Sequence, residues 1–181
     1  MRKRNRLFII LLLLSFLLVG CGKKNDVEVV NTSNTKTTYS EDPSSNINVN
    51  GSGTLECERE ANAIDGLKAN FRMVVTYKNG NIIVLHTIDT VTGDDQDALT
   101  EYEDAYKKIS EQYKDIKYYD TNITRDDNSV IFDINVNYEK VDIDKVKEIE
   151  GDDAKMFKNG KAKLKPWLTY AKKFGTTCKG V

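Results

Sequence analysis

Tyr77-Lys78-Asn79-Gly80-Asn81-Ile82 is the stretch that decides the fold. Asn-Gly between β-forming residues is typical of a two-residue hairpin turn, because both turn positions need a positive φ. With this loop, the predicted facing pairs on the apolar, core-facing side are Tyr77 with Ile82, Val75 with Val84, Met73 with His86, and Phe71 with Ile88. The other side of the hairpin is predicted to carry Arg72, Val74, Leu85 and Thr87, so it is only partly apolar.

The segments around this hairpin predict three more strands and three helices. Residues 54–60 alternate, with Leu55 and Cys57 pointing one way and the glutamates the other, as in a strand with one polar face. Residues 95–113 predict a helix whose apolar stripe consists of Leu99, Tyr102, Tyr106, Ile109 and Tyr113. A second hairpin joins 116–124 to 130–139 through a turn at 126–129.

Two shorter helices complete the pattern. Asp142 is predicted to cap the first, and the second is predicted to begin near Pro166 and to end at Gly175. The order β-β-β-α-β-β-α-α indicates an α+β domain with a mainly antiparallel five-stranded sheet built from hairpins and with its helices packed on one face. Whether the third and fourth strands pair in parallel stays open.

The N-terminus has the layout of a bacterial lipoprotein signal. A basic segment precedes the apolar residues 7–19, and Leu18-Val19-Gly20-Cys21 resembles a lipobox. This resemblance implies that residues 1–20 are a signal peptide and that Cys21 is lipid-modified (palmitate) at the new N-terminus. An uncleaved membrane span is the alternative, but 7–19 is shorter than the about 20 residues a spanning helix needs. A signal peptide with an unacylated cysteine is another alternative.

Composition predicts a tether followed by one domain. Residues 21–52 are rich in Asn, Ser, Thr and Lys, which predicts a lipidated cysteine followed by a disordered tether. Residues 53–181 are enough for one hydrophobic core. Residues 1–20 hold four of the chain's 27 basic residues and no acidic one. The chain after residue 20 therefore has 23 basic and 28 acidic residues, a net charge of −5. Such a surface disfavours nucleic acid as a partner.

Two cysteines remain in the domain, Cys57 and Cys178. An even pair in an exported domain predicts a disulfide, with two unpaired thiols as the alternative.

The motifs together resemble the YehR-like family of small bacterial lipoproteins. The residues that carry the resemblance are the lipobox, the strand Leu55-Glu56-Cys57, the hairpin Thr76-Tyr77-Lys78-Asn79-Gly80, a Tyr-rich helix, and Val136-Asn137-Tyr138-Glu139-Lys140-Val141-Asp142. The resemblance covers most of 53–181. It implies a lipid-anchored, hairpin-rich α+β domain at the cell envelope and transfers no catalytic residue.

The remaining polar motifs favour structural roles. His86 is the only histidine, and its predicted register makes it a half-buried core residue rather than a general base or ligand. The glutamate row is typical of an edge strand that resists pairing with other chains. A cluster of aspartates favours helix capping over a calcium loop, which would need a longer pattern. The glutamates are Glu56, Glu58 and Glu60, and the aspartates are Asp94, Asp95 and Asp97.

Tyrosines are the richest supply of contact residues. Those of the helix stripe are predicted core residues, whereas Tyr118 and Tyr119 are adjacent, so one of them faces outward if they lie in a strand. That outward ring is a candidate contact. No motif predicts a metal site, a cofactor or a catalytic residue.

Three functions follow as hypotheses. The first is a non-enzymatic lipoprotein, anchored outside the cytoplasm through Cys21, that binds a protein or envelope component. The second is a small-ligand binder with a Tyr-lined pocket. The third, weaker, is a hydrolase that uses two carboxylates.

Overall fold

The computed structural model describes residues 47–62 and 66–181. The predicted signal peptide, Cys21 and most of the predicted tether lie outside these residues. In chain order the described elements are β1 (Gly53–Asn62), β2 (Lys68–Lys78), β3 (Asn81–Thr92), α1 (Gln96–Tyr113), β4 (Tyr119–Asp126), β5 (Ser129–Asn137), α2 (Ile143–Glu150), a 3-10 helix (Gly151–Met156), β6 (Phe157–Lys158), β7 (Lys161–Ala162), α3 (Leu164–Lys173) and β8 (Thr177–Gly180).

The α+β prediction is confirmed, with six strands in the main sheet rather than five. The strand order is β4-β5-β3-β2-β1-β8, and every neighbouring pair is antiparallel. β3 and β4 do not pair, since β5 lies between them. The strand that the sequence pattern missed is β8, whose four residues are too few to show a period. A small hairpin of β6 and β7 was also missed.

The sheet has two faces of different character. One face joins the buried side chains of α1, α2 and α3 in a single core, and we call it the covered face. The alternate side chains of the same strands form the open face, on which no described side chain is buried. Val130, Phe132 and Val136 of β5 point to the covered face, whereas Asp133 and Asn135 point to the open face, as predicted.

Helix α1 matches its predicted pattern. All five residues of the predicted stripe are buried. Asp95 is the N-cap, because its side chain accepts a hydrogen bond from the Ala98 backbone N–H at 2.9 Å. Ser110 and Thr121 hydrogen-bond at 2.6 Å, which ties the helix to β4.

The other two helices close the core near the hairpin end. Asp142 caps α2 as predicted, accepting a hydrogen bond from the Lys145 backbone N–H at 3.2 Å. α3 begins at Leu164, before Pro166, and buries Leu164, Trp167 and Ala171. The Leu164 N–H donates to the Gly80 carbonyl at 3.0 Å, so α3 starts directly at the β2–β3 turn.

The β2–β3 hairpin turns at Asn79 and Gly80, with φ of 50° and 70°, as the Asn-Gly signal predicts. Beyond the turn the predicted register is wrong by one residue. Tyr77 faces Ile82, but Thr76 faces Val84, so Ile83 is an extra residue in a β-bulge. The Ile83 carbonyl accepts a hydrogen bond from the Tyr138 N–H at 2.7 Å.

The bulge exchanges the two faces of β3. Since side chains alternate along a strand, a one-residue shift moves each of them to the opposite side. Leu85, Thr87 and Asp89 therefore lie on the covered face, opposite Val75, Met73 and Phe71. Val84, His86 and Ile88 lie on the open face, contrary to the prediction that placed them in the core.

Residues before β1 also contact the domain. Ile47 and Val49 pack against the core. Gly80 N–H donates to the Gly51 carbonyl at 3.0 Å. The domain's contacts thus begin before the expected boundary at Gly53. No helix within the described ranges is long and apolar enough to span a membrane.

Candidate functional site

The open face carries a concave region of about 350 Å³ formed by β1, β2, β3 and β8. It is lined by the apolar side chains of Val74 and Ile88, by His86 and by charged side chains, and Val74 is 40% exposed although it is apolar. The charged side chains are Glu56, Glu58, Arg72 and Lys179. An exposed apolar side chain among charged ones is typical of a protein-binding surface.

His86 is part of this region because of the bulge at Ile83. Its Nε2 hydrogen-bonds to Asp133 Oδ1 at 2.9 Å, and the two side chains are 38% and 41% exposed. The sequence-based interpretation of His86 as a core residue is therefore wrong. The missed signal is the bulge, which depends on the contact with Tyr138 far along the chain.

The glutamates of β1 point to the open face, as their alternation predicts. Glu56 and Glu58 do not protect an edge strand, because β8 pairs with residues 55–58 of β1, whereas Glu60 lies beyond this pairing. Glu56 forms an ion pair with Lys179 of β8 at 3.3 Å, and Glu58 lies opposite Arg72 of β2. Each of these two acids therefore has a basic neighbour on the next strand.

The predicted disulfide between Cys57 and Cys178 is present. The two cysteines face each other across β1 and β8, and both are buried. The bond fixes β8 beside β1, which holds Lys179 at the rim of the open face. A cross-link between residues 121 positions apart is worth about 5 kcal/mol in the chain-entropy model.

Several tyrosines of the described residues pack within the core. The rings of Tyr113 and Tyr119 stack with their centroids 4.0 Å apart. The ring centroids of Tyr138 and Phe157 are 5.7 Å apart. Burial raises the pKa of Tyr113, Tyr119 and Tyr138, and the negative charge of Glu150 raises it further. These hydroxyls therefore stay neutral, as structural core groups do.

Tyr118 is exposed and Tyr119 packs against the core, but β4 begins at Tyr119, three residues after the predicted start at 116, so Tyr118 faces outward from a turn and not by strand alternation. Tyr118 is 48% exposed and has a φ of 70°, in the left-handed region that non-glycine residues rarely adopt. The Lys140 ammonium lies 5.5 Å from its ring centroid. Tyr118 thus remains the better candidate contact of the two.

The aspartates before α1 serve the helix, since Asp95 caps it. Across residues 47–62 and 66–181, no group of three or more His, Cys, Asp or Glu side chains is arranged to hold a metal ion.

One polar pair on the covered face escaped the sequence analysis. Asp89 lies in the row formed by Arg59, Phe71, Asp89 and Phe132 across four strands. Burial raises the pKa of Asp89 to about 7, although the positive charge of Arg59 opposes this shift. Without the bulge, alternation assigns Asp89 to the open face, which is why its burial was not foreseen.

No protein-family model and no curated protein matches the sequence. Among solved structures, the NMR structure of the E. coli YehR protein is similar, with a TM-score of 0.50 and 17% sequence identity over 71% of this chain and 91% of YehR. The two chains share a fold. The NMR structure of a protein from Streptococcus pneumoniae TIGR4 aligns with 88% of this chain and 100% of its own, at 12% identity and a TM-score of 0.43.

Proposed function

We propose that this chain is a lipid-anchored protein of the bacterial cell envelope, related to the YehR-like lipoproteins, whose domain binds a polypeptide partner through its open face. The proposal assigns no reaction, cofactor or metal to the domain. The observation that carries it is the uncovered sheet face with exposed Val74 in its concave region.

The anchor part of the proposal rests on the N-terminal motif. A basic segment, a short apolar segment and Gly20-Cys21 are the parts that lipid modification requires. The fold shared with YehR supports a relationship to the family that the sequence motifs resemble. Lipid on Cys21 would place the domain outside the cytoplasm and beside the membrane.

The proposal of a binding role is argued from the open face, whose described side chains are not buried in the core. A sheet needs only one buried face to hold its core, so a second face with an exposed apolar side chain is free to serve another purpose. Val74 and half-buried Ile88 offer apolar surface, and the neighbours Glu56–Lys179 and Glu58–Arg72 offer charges of both signs. A polypeptide supplies apolar and charged groups in the same combination.

A polypeptide fits this face better than a glycan. Sugar rings generally stack on aromatic side chains, whose flat faces are apolar. The open-face positions of the described strands hold no Phe, Tyr or Trp, since those of β2, β4 and β5 point to the covered face.

Anchoring is tested by metabolic labelling with an alkyne fatty acid in bacteria that produce the protein. The wild-type protein is expected to take up the label and to sediment with membranes, and Cys21→Ala is expected to lose both properties. A label that persists in Cys21→Ala, or its absence from the wild type, would overturn the anchor.

Binding is tested with a soluble form that begins at Gly22, mixed with envelope fractions from the producing bacterium. We expect the protein to co-sediment with untreated envelopes and to lose this association when the envelopes are first treated with protease. Association that survives protease but is lost after glycan digestion would assign the face to a polysaccharide instead. No association with either fraction would contradict the proposal.

A further inference from the structure

We propose that Arg59 and Asp89 on the covered face form a binding site for a small neutral ligand that carries a hydrogen-bond acceptor beside a donor, as amides and neighbouring hydroxyls do. This site is separate from the open face, because the two lie on opposite sides of the sheet.

The pair is held in place by aromatic neighbours. Arg59 lies over the Phe71 ring, with its Cζ 4.0 Å from the ring centroid. Asp89 lies between Phe71 on β2 and Phe132 on β5. Phe132 in turn stacks on Tyr106 of α1, with centroids 4.7 Å apart. Both polar groups are therefore fixed in an apolar frame.

Each member of the pair has an unused hydrogen-bonding atom. Arg59 Nε and Asp89 Oδ1 are shielded from solvent and have no hydrogen-bond partner among the described residues. Unpaired buried polar atoms are rare and costly, since each loses its hydration without replacement. The two residues attract each other electrostatically, yet no direct ion pair joins them in the described part of the chain. A group between them would satisfy both atoms.

The required chemistry follows from the two atoms. Arg59 Nε donates, so the ligand must accept there, and an ionised Asp89 accepts, so the ligand must donate beside it. A charged ligand would face a like charge on one side of the pair, whereas a neutral ligand keeps the buried site free of net charge. Arg59, Phe71 and Asp89 are each half-buried, but the two unpaired atoms are themselves shielded, so a ligand reaches them only when the covering side chains move.

NMR titration of the protein at pH 8, where Asp89 is ionised, tests this site through the side-chain signals of Asp89 Cγ and Arg59 Nε. Acetamide and ethane-1,2-diol serve as neutral probes, and acetate and methylammonium serve as charged comparators. We expect at least one neutral probe to shift both signals to saturation, at about one-tenth of the concentration that a charged probe needs. Tighter binding of acetamide would indicate an amide ligand, and tighter binding of the diol would indicate a sugar-like ligand.

Matched variants complete the test. Arg59→Met and Asp89→Leu are each expected to weaken probe binding about tenfold or more, the value of one lost hydrogen bond. Arg125→Met is the control, because Arg125 Nη1 is also buried without a hydrogen-bond partner among the described residues, but Arg125 lies on β4, outside the row. It should leave binding within about twofold. Failure of both neutral probes to saturate, tighter binding of a charged probe, or an equal loss in Arg125→Met would overturn the proposal.

Discussion

Asp89 and Asp133 lie on neighbouring strands of one sheet, and their surroundings show how differently its two faces treat the same side chain. Asp133 on the open face is 41% exposed and hydrogen-bonds to His86. Asp89 on the covered face has a buried oxygen without a partner among the described residues, and burial raises its pKa to about 7. The covered face penalises an unpaired charge, whereas the open face leaves a carboxylate with a hydrogen-bond partner and contact with water.

The assignment of side chains to the two faces depends on the bulge at Ile83. This dependence gives the prediction with the largest expected effect. Deletion of Thr87 would force β3 to shift by one residue, which moves either Asp89 and Val91 or Leu85 to the wrong face. We expect this deletion to lower the free energy of unfolding by more than about 5 kcal/mol, the scale of a whole domain's stability.

Deletion of Ile83 is the matched control. It removes the extra residue and leaves Thr76 opposite Val84, so the faces of β3 are kept. We expect a loss of about 1–2 kcal/mol, mainly from the lost Ile83–Tyr138 hydrogen bond and the local apolar contacts. Urea denaturation measures both deletions, and equal losses would show that the bulge does not set the faces.

The next prediction compares adjacent residues of β5 on opposite faces. Phe132 is 0% exposed and stacks on Tyr106, so Phe132→Ala should cost about 3–5 kcal/mol. Ile131 points to the open face, so Ile131→Ala should cost about 1 kcal/mol or less. If the two variants unfold at the same urea concentration, the burial difference between the faces is not the source of stability.

Several parts of this architecture were predictable because their signals are local. The Asn79-Gly80 turn, the caps Asp95 and Asp142, and the stripe of α1 each depend on residues within a few positions of one another. The alternation along β5 was equally clear, since its polar and apolar residues separate onto the two faces except at Ile131.

The bulge and β8 were not predictable because their causes are distant in sequence. Ile83 is held by the Tyr138 N–H, and β8 is held by the disulfide to Cys57. β3 also carries apolar residues on both faces, so its own pattern does not reveal the shift. As a result the sequence placed Glu56 and Glu58 correctly on the open face, but it missed His86 there and Asp89 on the other side.

The next prediction depends on pH and concerns Asp89, whose replacement is expected to stabilise the protein rather than destabilise it. The pKa of Asp89 is higher in the folded protein than the ordinary value of 3.8. Between about pH 4 and pH 7 the folded state therefore binds a proton that the unfolded state has lost, so stability falls as the pH rises through this window. Asp89→Asn removes the ionisation.

Asp89→Asn should raise the free energy of unfolding at pH 8 by up to about 4 kcal/mol and change it little at pH 4. Asp120→Asn on the open face should shift it by about 0.5 kcal/mol or less at either pH. Urea denaturation at both pH values measures the difference. A stabilisation by Asp89→Asn that does not depend on pH would contradict the burial of this charge.

The proposal that the open face binds a polypeptide is tested most directly by the affinity of two variants of the soluble form for envelope fractions. Val74→Glu places a charge at the exposed apolar position of the open face, and Thr100→Glu places one on the exposed surface of α1. With both variants folded, we predict that Val74→Glu lowers the affinity about tenfold or more, while Thr100→Glu stays within about twofold of the wild type. Equal affinities for all three proteins, or a greater loss in Thr100→Glu, would show that the open face is not the binding surface.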